Sequence, residues 1–320
     1  MNDLDDIITP TAEWLKNNQN LALATVISTW GSSPRPVGGQ MAINDKGDII
    51  GSVSGGCVEN AVISEAINSI QDRKLRIKDY GISNNMAWEV GLACGGELKI
   101  LIQPLEKKDA IILKIAKNIK ERKQITLMTN CNDGARKIIQ ENKSNFSENS
   151  YFDREKNIFF HSIIPKHRLF IVGAVHIAQS LVEIAKNCGY ETILIDPRDY
   201  FASKKRFPGC NIINDWPDNA LKEFQLNKTC HLVTLTHDPK IDDPALEVAL
   251  KSKFGYIGSL GSSKTHQKRI ERLKKQGFKD ELVSKIHGPV GLDISSKTPQ
   301  EISISILAEL IRFRRKKNYD

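Results

Sequence analysis

From Leu169 onward, short apolar runs alternate with stretches of helical spacing, and that rhythm leaves few folds open. The run 169–173 leads into a helix pattern, 192–195 ends in Asp196-Pro197-Arg198, and 231–235 and 255–257 are each followed by loop residues and then a helix. In the first of these segments Ile177, Leu181, Ile184 and Ala185 share one face, and Cys188-Gly189 ends it. Apolar strands separated by amphipathic helices predict a parallel sheet with helices on both faces. The expected fold is therefore α/β, with a C-terminal Rossmann-like, doubly wound parallel sheet. The last helix is marked by Thr298-Pro299-Gln300-Glu301, a capping box with a helix-start proline, ahead of Ile302, Ile306, Leu310 and Phe313.

The segment before residue 130 reads differently. A helix is expected around 11–17, strands at 21–28, 40–44, 48–53 and 97–103, and helices at 60–70 and 110–119. This is a smaller N-terminal α+β domain. Between it and the Rossmann-like part the chain turns polar from about 132 to 156, least core-like at 142–150, and short hairpin strands can occupy part of that stretch. The expected division is 1–130, a connecting segment 131–165, and 166–320. With 320 residues, 40% hydrophobic and 26% charged, the chain is long enough for two globular domains and too apolar for wholesale disorder.

No apolar run approaches the roughly 20 residues that cross a bilayer. The start is acidic and lacks the features of a secretory signal, so a cytoplasmic protein without membrane contact is expected. The six cysteines form no CxxC pair and no zinc-type cluster. The net charge of +8 is uneven: the first 100 residues carry −4 and the rest +12. With 7% aromatics and no recognition signature, the basic stretches read as solvated helix faces, and nucleic acid is not an expected partner.

Candidate binding residues gather in the loops after the C-terminal runs. Gly173-Ala174-Val175-His176 joins a strand to a helix start, where a dinucleotide fold sets a pyrophosphate against unpaired N–H groups. Val175 stands where a second glycine would let the pyrophosphate approach, which favours a distorted mode over ordinary NAD binding. Asp196, 23 residues after Gly173, ends the next run and suits a ribose diol, with Arg198 beside it. His237 and Asp238 follow the third run; Gly258, Gly261, Ser262 and Lys264 follow the fourth; His287 precedes the last helix. His237 and His287 are possible proton carriers should the chain be an NAD(P)-dependent oxidoreductase.

Two cysteines stand beside paired glycines. Cys57 follows Gly55-Gly56 at a helix start, where free N–H groups favour negative charge, and Cys94 precedes Gly95-Gly96. Either thiol could ligate a soft metal or take up sulfur as a persulfide. Arg35, stiffened between Pro34 and Pro36 and followed by Gly38-Gly39, is a candidate anion fork.

These segments resemble the XdhC/CoxI family, accessory factors of xanthine dehydrogenase and related molybdenum hydroxylases. The blocks TWGSSPRPVGGQMAI (29–43), GSVSGGCVENAV (51–62), GLACGGELKILIQP (91–104), RLFIVGAVHIAQ (168–179) and LIDPRDYFA (194–202) carry the likeness. THDPKIDDPAL (236–246), YIGSLGSSKTHQKR (256–269) and HGPVGLDISSKTPQEISISILAEL (287–310) extend it almost to the end. The resemblance implies a chaperone that binds molybdenum cofactor, as molybdopterin or its dinucleotide form, supports its sulfuration, and inserts it into an apo molybdenum hydroxylase. A cysteine desulfurase and a second copy of the chain are further possible partners. On that reading the Gly173 turn and the 258–264 loop hold the phosphate end, while Cys57, with Cys94, faces molybdenum.

Overall fold

The computed structural model describes residues 4–31, 35–81, 96–139 and 149–316. The chain forms two compact units, residues 2–165 and 166–320.

The first unit begins with α1 (Leu4–Lys16), β1 (Leu21–Trp30), β2 (Gln40–Asn44), β3 (Ile49–Gly51) and α2 (Glu59–Asp72). It continues through β4 (Arg76–Tyr80), β5 (Glu97–Pro104), α3 (Ala110–Lys120), β6 (Ile125–Asn130), β7 (Arg136–Ile139), β8 (Tyr151–Asp153) and β9 (Ile158–Ile163). One antiparallel sheet has the order β3-β2-β1-β5-β4 and a second has β7-β6-β9-β8. Alternate residues of β1 serve opposite faces: Leu21 and Leu23 pack with α1 and α3, whereas Ala22, Ala24 and Val26 pack under α2. The stretch 131–165, expected to connect two domains, supplies β7, β8 and β9 to the second sheet. Within it β9 buries Phe159, His161, Ser162 and Ile163, so a stretch that reads as polar closes a core.

The second unit contains β10 (Arg168–Val172), α4 (His176–Asn187), β11 (Glu191–Ile195), β12 (Asn211–Ile213), α5 (Pro217–Lys222) and β13 (Cys230–Thr234). It ends with α6 (Pro239–Lys251), β14 (Tyr256–Ser259), α7 (Ser263–Lys275), α8 (Asp280–Val283), β15 (Ile286–His287) and α9 (Pro299–Lys316). Its six strands are all parallel, in the order β12-β11-β10-β13-β14-β15. Leu169 and Ile171 face the α4/α9 layer, and Phe170 and Val172 face the α5/α6 layer, so both sheet faces are covered. The order reverses between β10 and β13. In open sheets of this kind a ligand binds in the crevice outside the carboxyl ends at such a reversal.

Candidate functional site

In the first unit, register alone brings three loops to one end of the five-stranded sheet. Thr25 pairs with Gln40, Met41 with Gly51, Trp30 with Glu97, and Tyr80 with Leu98. The β1–β2, β3–α2 and β4–β5 connections therefore all leave from the same edge. Arg35 is half-buried on the first and Cys57 half-buried on the second. Cys94 lies outside the described residues. Trp30, the last residue of β1, stands 70% exposed at this edge.

The loop before α2 is organised around Glu59. Its Oε1 accepts from Ser52 Oγ at 2.6 Å and Ser54 N at 2.9 Å, and its Oε2 accepts from Gly56 N at 2.8 Å and from Ser54 Oγ. Val58 N donates to Ser54 Oγ at 2.9 Å. Partial burial works to raise the Glu59 pKa, but these donors outweigh it and hold the carboxyl at about 2. The sequence suggests that the loop's N–H groups are available to Cys57. The structure corrects this, because Ser54 and Gly56 donate to the chain's own carboxylate. What remains open is the outer side of the loop. Gly56, at φ +118°, has nothing within 4 Å of where a Cβ would stand, and Cys57 sits beside it, packed at the rim of the α2 core.

Gly38 has a packing role. At φ +91°, a Cβ there would lie 3.0 Å from Ser150 Oγ and 3.1 Å from His161 Nε2, so the loop carrying Arg35 closes onto β9. His161 is buried, and desolvation lowers its pKa to about 4. It lines a small pocket of mixed character between the two sheets, whose other polar residues are Thr25, Gln40, Gln103, Thr129 and Arg136, the last paired with buried Asp109. No sequence pattern points to this group.

In the second unit the switch crevice gathers most of the expected residues. Gly173, at φ +108°, ends β10; a Cβ there would meet Thr236 Cγ2 at 2.5 Å. Glycine is therefore required by the neighbouring loop, not only by a ligand. Val175 is the N-cap of α4 with no side-chain cap, and exposed His176 opens the helix. On the β13 side, exposed His237 takes a left-handed φ of +61° while its N–H donates to Asp242 Oδ2 at 3.2 Å. Asp242 is 1% exposed and its pKa is raised by that burial, although it accepts from Thr236 Oγ1 at 2.6 Å. Asp238 caps α6 by accepting from Lys240 N at 2.9 Å. Gly261, at φ +140°, lies next to His237, Ser262 caps α7 by accepting from Thr265 N at 3.2 Å, and Lys264 is exposed in the first turn. Buried Arg269 donates to Leu260 O at 2.7 Å and so pins this loop from beneath.

Three expected contacts are corrected. Asp196 is fully buried, and all its acceptor positions are used. Oδ1 takes Arg198 N at 3.0 Å and Arg198 Nε at 2.8 Å; Oδ2 takes Ala174 N and Arg198 Nη2, both at 2.7 Å. A carboxylate offers about four lone-pair sites, so none is left for a ribose diol. Burial works to raise the Asp196 pKa, yet the Arg198 fork and the Ala174 amide bring it down. Gly258 is buried within β14, where a Cβ would meet Val290 Cγ2 at 2.6 Å; its smallness serves packing, not an anion. His287 lies on the edge strand β15, away from the reversal, with Nδ1 2.7 Å from Glu309 Oε1 and its ring 4.6 Å from that of Tyr256. Of the other cysteines, 131 and 230 are buried and 188 and 210 half-buried. Among the described residues no group of three metal-ligating side chains occurs, and no helix is long and apolar enough to cross a membrane.

A family model of the XdhC Rossmann domain matches residues 169–310, and one of the XdhC and CoxI family matches residues 14–81. The chain belongs to the XdhC/CoxI family. A Bacillus subtilis protein named as a probable subunit of xanthine dehydrogenase is 27% identical to it, over 94% of this chain and 96% of that one. The Escherichia coli molybdenum cofactor insertion chaperone PaoD is 26% identical, over 94% of this chain and 86% of its own. A crystal structure of a Bacillus halodurans protein, described as a xanthine dehydrogenase, matches with a TM-score of 0.76 at 27% identity, covering 97% of this chain and 96% of that one. Both family matches contain residues singled out above: Arg35 and Cys57 in one, and the loops of the switch crevice in the other.

Proposed function

We propose that this XdhC/CoxI-family chain is a cytoplasmic accessory protein that carries molybdenum cofactor as cargo and inserts it into a xanthine dehydrogenase-type hydroxylase. The observation that carries this reading is the end of the five-stranded sheet, from which the loops holding Cys57 and Arg35 both leave, with open space beside Gly56 and Trp30 exposed at the end of β1. The names of the relatives support it. A soft metal–dithiolene group suits a single thiol, and lone thiol contact suits a cargo that must be released. A resident metal centre would call for a larger ligand set, which the described residues do not offer. Trp30 adds a flat apolar face for a planar pterin. Taken by itself, the switch crevice of the second unit, with Val175, His176, His237 and Lys264 around it, suits a phosphate group. Sulfuration of the bound cofactor, with a cysteine desulfurase as sulfur source, belongs to the same proposal.

The test is purification from a molybdopterin-producing host, followed by assay of bound pterin and molybdenum. The wild type is expected to retain both. Cys57→Ala is expected to lose most of the molybdenum while its circular dichroism and melting temperature stay close to wild type. Unchanged molybdenum in that variant removes Cys57 from the proposal, and absence of pterin from the wild type removes the cargo itself.

A further inference from the structure

The four hydrogen bonds on Asp196 have a geometry that belongs to another kind of partner. A carboxylate at the end of the second strand of a dinucleotide-binding unit reads a ribose by taking two adjacent hydroxyls, one on each oxygen. Here Arg198 Nε donates to Oδ1 at 2.8 Å and Arg198 Nη2 to Oδ2 at 2.7 Å, two parallel donors from one rigid edge. We propose that Arg198 occupies, from within the chain, the place of a ribose diol, so that the second unit reads its ligand through the cation and not through hydroxyls.

Three further observations hold the arginine there. The guanidinium lies 4.5 Å from the centre of the Phe201 ring, which limits its swing. Arg206 Nη1 donates to Phe201 O at 2.6 Å and to Ala174 O at 2.8 Å, tying the loop that carries Phe201 to the turn after β10. Finally, Asp196 is wholly buried while the Arg198 side chain is 37% exposed, so the arginine covers the carboxylate and presents its outer edge to solvent. Its remaining N–H groups form a second fork suited to phosphate oxygens. The ligand class assigned to this place is therefore a phosphate-bearing molecule whose diol, if it has one, goes unread. That phosphate could belong to a nucleotide 2′-position or to a non-nucleotide ester. The inference deepens the reading of this crevice as a phosphate site, and its failure is distinguishable from that of the cargo reading because nucleotide binding is measured without any delivery assay.

The full-length protein is titrated calorimetrically with AMP and with 2′-deoxy-AMP, which differ only in the diol. The wild type is expected to bind both equally. In Arg198→Met one acceptor position on each Asp196 oxygen reopens, and AMP is expected to bind about tenfold tighter than 2′-deoxy-AMP. Arg198→Lys keeps a charge beside the buried carboxylate but fills one position, so a preference of about threefold is expected even if the Met variant does not fold. A wild type that already favours AMP overturns the proposal. So does a folded variant with no preference, or with no measurable AMP binding at millimolar concentration. For the anion, pyrophosphate and NADP+ are titrated into wild type and Arg198→Lys. Binding of both to similar extents supports a plain phosphate, tighter NADP+ supports a 2′-phosphate, and binding of neither overturns the anion reading.

Discussion

Glu59 and Asp196 are both carboxylates that accept from the backbone of a glycine turn, and both turn inward. Glu59 accepts from Ser52, Ser54 and Gly56, so Glu59→Gln, which puts an NH2 against donors, is expected to cost roughly 1–3 kcal/mol in urea unfolding. Its pKa is depressed to about 2. Its stabilising contribution is therefore complete above the unfolded value and disappears as pH falls toward 2. Gly173→Ala is expected to lower stability by about 1–3 kcal/mol, through strain at φ +108° and the clash with Thr236. A loss of binding in that variant would report on folding before it reported on phosphate contact.

Helix ends are the most legible elements, because capping needs only residues close in sequence. Thr298 and Glu301 make the expected box: Glu301 N donates to Thr298 Oγ1 at 3.3 Å, and Thr298 N to Glu301 Oε2 at 2.9 Å. Thr298→Ala is expected to destabilise α9, and with it the layer beside α4, by about 1 kcal/mol in thermal unfolding. The four apolar runs of the second unit form β10, β11, β13 and β14. Its short edge strands leave no such trace: β12 has three residues and β15 two, too few to show a period. Strand β4, Arg76-Ile77-Lys78-Asp79-Tyr80, alternates but carries charged residues and no buried one, so composition disguises it. Strands β7 to β9 lie in the polar stretch that reads as a connector with room for short hairpins, but its composition does not show that they complete a second sheet.

At the scale of a whole folded unit, the stability of the first should depend on pH through His161. Its folded pKa of about 4 lies below the ordinary histidine value, because burial disfavours the charged ring. Between about pH 6.5 and 4 the unfolded chain binds a proton that the folded chain refuses, so stability falls with acidification across that window, by up to about 3 kcal/mol. His161→Phe is expected to flatten the profile between those limits, measured as urea midpoints against pH. A slope unchanged by the substitution would assign it to other groups.

Local pattern was enough to establish the alternation of strand and helix in the second unit, the capping box of the last helix, and the family blocks that contain Arg35, Cys57 and the switch-point loops. These depend on neighbours a few residues apart, and sequence spacing records such neighbours directly. Only the tertiary structure decided that Ala174 donates to Asp196, that Gly258 answers to Val290, and that Gly38 closes over His161. A lone pair or a gap beside a glycine can be filled once, and its occupant comes from whatever the fold brings within 3 Å, often from far along the chain.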